Sequence, residues 1–152
     1  MTFSFIPTAE SHDLADDIRS LFADLASTLT LEHRAFSGEC HPAVDVRETD
    51  ETLEVLVDVP GIPAEALRVL FRRDVLLVAG EKAPPSATEE QTYHLVEREF
   101  GRFARAVRLE GAFDIEHATA SVQHGALIIV LPKLRDRRGQ AHHIRITSSR
   151  DR

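Results

Sequence analysis

The apolar positions of this chain change period part-way along it. Near the start, Leu14, Ile18, Leu21, Phe22 and Leu25 recur three and four residues apart, the spacing of one helix face. Asp13 is placed to cap that helix, with Asp16 and Asp17 in its first turn, where carboxylates favour the dipole. Phe3, Phe5, Ile6, Leu29, Leu31 and Phe36 surround it without a clear period. From Val44 the period drops to two. Val44 and Val46 alternate with Asp45 and Arg47, and Leu53, Val55, Val57 and Val59 with Glu54 and Asp58. Leu67, Val69 and Phe71 alternate with Arg68 and Arg72. Such alternation marks strands with one wet face. Phe103, Val107 and Leu109 share one parity, which Arg105 interrupts. Val75 to Ala79 and Ala126 to Leu131 are apolar on both faces, as central or doubly covered strands are.

Turn residues separate these runs: Thr49-Asp50, Pro60-Gly61-Ile62-Pro63, Arg73-Asp74, Gly101 and His124-Gly125. Short strands at this spacing predict an all-β fold, an immunoglobulin-like antiparallel β-sandwich. One connection, Glu81 to His94 with Pro84-Pro85 inside it, is long for a compact domain. Such loops are usually functional or reach outside the domain. Gln91 to Leu95 has modest strand character and suits an extra strand at its tip. The expected division is a partly helical arm over 1–41, a sandwich over 42–133 with a long loop at about 81–95, and a flexible tail over 134–152.

In that tail, Ile144 and Ile146 stand alone among Arg, His, Gln, Asp and Ser. Two residues apart on an extended chain, they point the same way. They are either a last strand of the sandwich or two knobs that dock elsewhere, for instance on another copy of the chain.

At 152 residues the chain has room for one real core and tails. Its 43% hydrophobic and 28% charged residues are ordinary for a globular protein. A net charge of −7 argues against a nucleic-acid binder that works by neutralising phosphates. No run approaches the ~18 apolar residues of a membrane span, and the first ten residues lack the basic and apolar regions of a secretory signal. The helix carries Asp13, Asp16, Asp17 and Asp24 against Arg19, which suits an anionic membrane poorly. Cys40, the only cysteine, has no internal disulfide partner, so the cytoplasm is the default location.

Chemistry is sparse. The eight histidines lack metal-ligand spacing, and His142 and His143 on a strand point to opposite faces, so no metal site is expected. There is no G-x-S-x-G motif, Cys40 has no identifiable base, and no Gly-rich phosphate loop occurs. Catalytic and cofactor-binding residues are therefore expected to be absent.

The residues together resemble the small heat-shock protein (α-crystallin) family, in its bacterial and plant form. Pro42-Ala-Val-Asp45-Val-Arg-Glu48 is similar to its opening strand, and Asp58-Val-Pro60-Gly61-Ile62 to the turn after the next. Glu97-Arg98-Glu-Phe-Gly101-Arg-Phe103-Ala-Arg105 resembles its E-R-x-x-G-x-F-x-R segment. Ala120, Gly125 and Leu127 with Pro132-Lys133 resemble its most characteristic motif, and Ile144-Arg-Ile146 its C-terminal anchor. The ordered set spans about 42–146. Glu110, His124 and Ala126 depart from the usual Pro, Asn and Val.

The resemblance implies an ATP-independent holdase that binds partly unfolded clients and itself. The arm residues Phe3, Phe5, Ile6, Leu14, Ile18, Leu21, Phe22 and Leu25 would cover client surface; the alternative for the helix is a fixed cap on the sandwich. Thr92, Tyr93 and Leu95 of one copy would pair with the strand around Val44 and Val46 of another. Arg105 would be either an exposed edge charge or half of an ion pair at that interface, with Glu97, Glu99 or Asp74 as candidate partners. Ile144 and Ile146 would enter a groove walled by Val69 and Phe71 on one side and Ala118, Ala120 and Val122 on the other. Burying two Ile side chains is worth roughly 3–6 kcal/mol before ordering costs, so the link would be exchangeable.

Overall fold

Alternating apolar residues become strands here because each strand lays one face on a shared core. The computed structural model describes residues 8–28, 40–86 and 91–134. The described residues contain one α-helix, α1 (Thr8–Thr28), and seven strands: β1 (Val44–Glu48), β2 (Thr52–Asp58), β3 (Leu67–Arg72), β4 (Val75–Lys82), β5 (Gly101–Arg108), β6 (Thr119–Gln123) and β7 (Ala126–Pro132). They form two antiparallel sheets, β1-β2-β7-β6 and β3-β4-β5, which is the expected sandwich. The Ile144–Ile146 pair and Phe3, Phe5 and Ile6 lie outside the described residues.

The core lies between the sheets. Leu53, Val55 and Val57 of β2 meet Leu127, Ile129 and Leu131 of β7 in register. Leu76 and Val78 of β4 and Phe103 of β5 join them from the other sheet. Each such side chain, fully buried, stabilises the fold by about 1.5–3 kcal/mol. Gly80 is where β4 passes under Phe103; a Cβ there would sit 2.6 Å from the ring's Cζ.

Both doubly apolar runs are central strands, but only one is covered on both sides. On the outer face of β4, Leu77 is buried, and α1 packs over β3 and β4 with Leu25 buried beneath it. On β7 the outward Ala126, Ile128 and Val130 remain half-buried. The β6–β7 connection is a two-residue turn with His124 at φ 50° and Gly125 at φ 78°. This is the backbone of a type I′ turn, whose twist matches its strands. His124 thus keeps the turn geometry although the family usually has Asn there.

Three expectations need correction. The helix begins at Thr8, so Asp13 is an interior residue rather than its cap, and Asp16 and Asp17 are not in its first turn. Glu81 does not open the long loop; it belongs to β4 and is buried. Gln91 to Leu95 forms no strand in the single chain, where it pairs with none of the described strands.

Candidate interaction surfaces

The sandwich ends in four strand edges: β1 and β6 in one sheet, β3 and β5 in the other. On β1, Val44 and Val46 stand opposite Val57 and Val55 and so have core parity. Val46 is nevertheless 45% exposed. The segment before β5 is open as well: Tyr93, Leu95 and Val96 are 57%, 74% and 66% exposed, and Thr92 is exposed beside them. Exposed apolar side chains on unpaired backbone invite strand pairing with another chain.

Arg105 faces inward on edge strand β5, paired in register with Val78, and is half-buried. Among the described residues it makes no ion pair. Asp74 pairs with Arg108 instead, at 3.5 Å, while Glu97 and Glu99 are exposed.

The groove residues lie on the other two edges. Val69 on β3 is 37% exposed, while Phe71, Ala118 and Val122 are half-buried against the core and Ala120 on β6 is exposed. Phe71 makes an edge-to-face contact with Phe113, ring centroids 6.1 Å apart, which fixes that wall.

The helix stripe does not face solvent in this structure. Leu25 is buried, and Leu14, Ile18, Leu21 and Phe22 are half-buried. Ion pairs line this contact. Asp17 accepts from Arg72 at 2.8 and 3.0 Å, Asp24 pairs with Arg68, and Asp13 lies 3.7 Å from Arg73. On a lone strand Arg68 and Arg72 read as a wet face; here they meet carboxylates 44 and 55 residues upstream.

A second polar group was hidden in the loop reading. The Glu81 side chain is 3% exposed and accepts from Arg102 Nε at 3.1 Å. Among the described residues its Oε1 is buried without a hydrogen-bond partner. The Arg102 guanidinium also lies over the Phe22 ring, 5.4 Å from its centroid, and so ties β5 to α1. Nearby, the Cys40 N–H donates to the Arg102 carbonyl at 3.4 Å. Burial pushes the Cys40 thiol above its ordinary value, Lys82 works against this, and Glu99 adds slightly to it.

Among the described residues no three His, Cys, Asp or Glu side chains gather as metal ligands, and no helix is long and apolar enough to cross a membrane. What the chain offers is edges, a groove and a covered helix. A model of the Hsp20/alpha crystallin family matches residues 45–147, which spans the sandwich and the Ile144–Ile146 pair. The chain belongs to this family of small heat-shock chaperones. It is similar to heat shock protein 16 of Schizosaccharomyces pombe, 29% identical over 134 residues and 87% of each chain. It is also similar to a 17.5 kDa class I heat shock protein of Glycine max, 33% identical over 108 residues, 70% of this chain and 69% of that one. Among solved structures, heat shock protein 16.0 of S. pombe superposes with a TM-score of 0.62 at 28% identity, covering 72% of this chain and 100% of that one. A small heat-shock protein of Xylella fastidiosa gives 0.59 at 29% identity, covering 73% and 98%. The small heat-shock family is one of chaperones rather than enzymes.

Proposed function

We propose that this small heat-shock protein is an ATP-independent holdase, assembled from strand-exchanged dimers, that keeps partly unfolded proteins from aggregating in the cytoplasm. The observation that carries this reading is the pairing of two incomplete surfaces in one chain: the apolar segment at Tyr93 to Val96 and the open edge of β1. In a dimer, Thr92, Tyr93 and Leu95 of each copy extend the partner's sheet beside Val44 and Val46, which closes both liabilities at once. Arg105 enters that interface and meets a carboxylate there. Ile144 and Ile146 link dimers by entering the edge groove of Val69, Phe71, Ala118, Ala120 and Val122. The Xylella fastidiosa relative, described as having a distinct high-order structure, supports higher assembly.

Clients supply what the chaperone lacks in its resting state. A partly unfolded protein exposes apolar surface and strand edges, and the arm, with Leu14, Ile18, Leu21, Phe22 and Leu25 on its stripe, covers them when it leaves the sheet. The test is heat-induced light scattering of a labile client, without nucleotide, titrated with the full chain. Suppression near equal subunit ratios, with client recovered in soluble complexes, supports the holdase. No suppression at excess of a folded, oligomeric chain refutes it and leaves an adaptor that recognises one folded partner.

A further inference from the structure

We propose that the outer face of the β3–β4–β5 sheet is a docking face for acidic amphipathic helices of client proteins, with α1 as its resident occupant. Three features of the α1 contact lead there. The face has an apolar centre, made by Leu70, Val75 and Leu77, and an arginine rim, made by Arg68, Arg72 and Arg73. The helix matches that rim in order and spacing. Asp13, Asp17 and Asp24 meet Arg73, Arg72 and Arg68 in turn, so the helix runs antiparallel to β3. Seven residues of helix between Asp17 and Asp24 span about 10.5 Å, and four residues of strand between Arg72 and Arg68 span about 13 Å. What the face reads is thus a charge ladder beside an apolar stripe, a pattern not confined to one sequence.

The resident helix also fits loosely. A pocket of about 40 Å³, partly open to solvent, remains between Leu14 on α1 and Leu70, Val75 and Leu77 on the sheet, with Arg72, Arg73 and Asp74 at its rim. Of the stripe residues, Leu25 alone is fully buried. The ion pairs are partly exposed, with Arg72 at 55% and Asp24 at 60% side-chain exposure, so salt screens them. An occupant held by screened pairs and an underfilled apolar contact is one that a competitor can displace. The role given to the competitor rests on the holdase reading; the docking itself does not.

The test uses the full chain and a fluorescent peptide with the sequence of residues 8–28. In the variant Asp17→Arg with Asp24→Arg, the resident helix is repelled from the rim. The peptide is expected to bind this variant about tenfold more tightly than the unmodified chain, and to weaken as salt rises. A peptide with Leu14→Phe, which reaches into the cavity, is expected to gain roughly fourfold, the worth of one buried methylene. Adding Arg68→Gln and Arg72→Gln to the chain should abolish the gain, with strand circular dichroism checking that the sandwich is intact. Equal binding to both chains overturns the proposal, as does binding that ignores the arginine substitutions or the Leu14→Phe change. A rise in oligomer mass without peptide uptake also overturns it, in favour of α1 exchange between copies. Peptide docking with no suppression of client aggregation refutes the holdase reading alone.

Discussion

Removing Arg102 should harm this protein more than removing the residue it pairs with. The Glu81 carboxylate is almost fully buried, has one oxygen on Arg102 Nε and leaves the other without a hydrogen bond. Arg102→Met strands that carboxylate. Breaking a fully buried pair costs about 3–5 kcal/mol. The Arg102 side chain, however, is 43% exposed, so water already screens the pair and a loss of about 1–3 kcal/mol is expected. Glu81→Met does the opposite: it removes the desolvated charge and its unmatched oxygen, and releases Arg102 toward solvent. Its cost should stay within about 1 kcal/mol. The double variant should lie near Glu81→Met, giving a large favourable coupling between the substitutions. Urea unfolding followed by circular dichroism at fixed subunit concentration measures all four corners. An Arg102→Met chain no less stable than the Glu81→Met chain would refute the reasoning, because Glu81 would then not be a buried charge in need of its partner.

Gly80→Ala should lower stability by about 1–3 kcal/mol, since the new Cβ would lie 2.6 Å from Phe103 Cζ and 2.8 Å from Leu67 Cδ2; an unchanged melting temperature would mean that β4 shifts freely. Leu76→Ala should cost about 2–5 kcal/mol in global unfolding, whereas Leu25→Ala should mainly lose amide protection in α1, because the helix opens without the sandwich; equal losses of protection across all strands in both variants would contradict this. Alkylation of Cys40 at pH 8 should be slower than that of a free thiol and should catch up as pH rises, because its raised value leaves less thiolate. The native thiol keeps its proton to higher pH than the unfolded one, so its contribution to stability falls as pH rises through the ordinary thiol range, and Cys40→Ser should flatten that decline. Shortening the chain between Lys82 and Tyr93 should abolish the dimer, with mass measured by light scattering; a shortened chain that still dimerises with unchanged stability contradicts strand exchange.

The strands were legible in the sequence because burial on one sheet face imposes a two-residue period that no other element imitates. Val55 and Val57 announce their facing by their neighbours Glu54 and Asp58, and the structure agrees. Parity also carried Val46, whose exposure at an edge is a matter of sheet order, not of sequence. The start of α1 was not legible, since Thr8 to His12 add nothing to the apolar stripe that reveals the rest. The roles of Arg68, Arg72 and Glu81 were hidden for another reason. Each looks like a solvated residue among its neighbours in sequence, and its partner comes from a separate element: Asp24, Asp17 and Arg102 respectively. The Phe113 contact with Phe71 was missed similarly, because the two residues come together only when the sheets pack.

The position of β7 has a consequence for how the protein is made. Every residue of β2 from Thr52 to Asp58 pairs with β7, between Pro132 and Ala126, and only Leu53 to Val57 also pair with β1. Hairpins β1–β2 and β3–β4 close early on a chain synthesised from its N-terminus, since their partners are near neighbours. The second edge of β2 must wait until some seventy further residues have left the ribosome. During that interval a half-built sheet leaves one backbone edge of β2 open, and Val55 and Val57 lack Ile129 and Leu127 beside them. A nascent subunit therefore passes through the condition of its own clients, and finished copies nearby are suited to attend it.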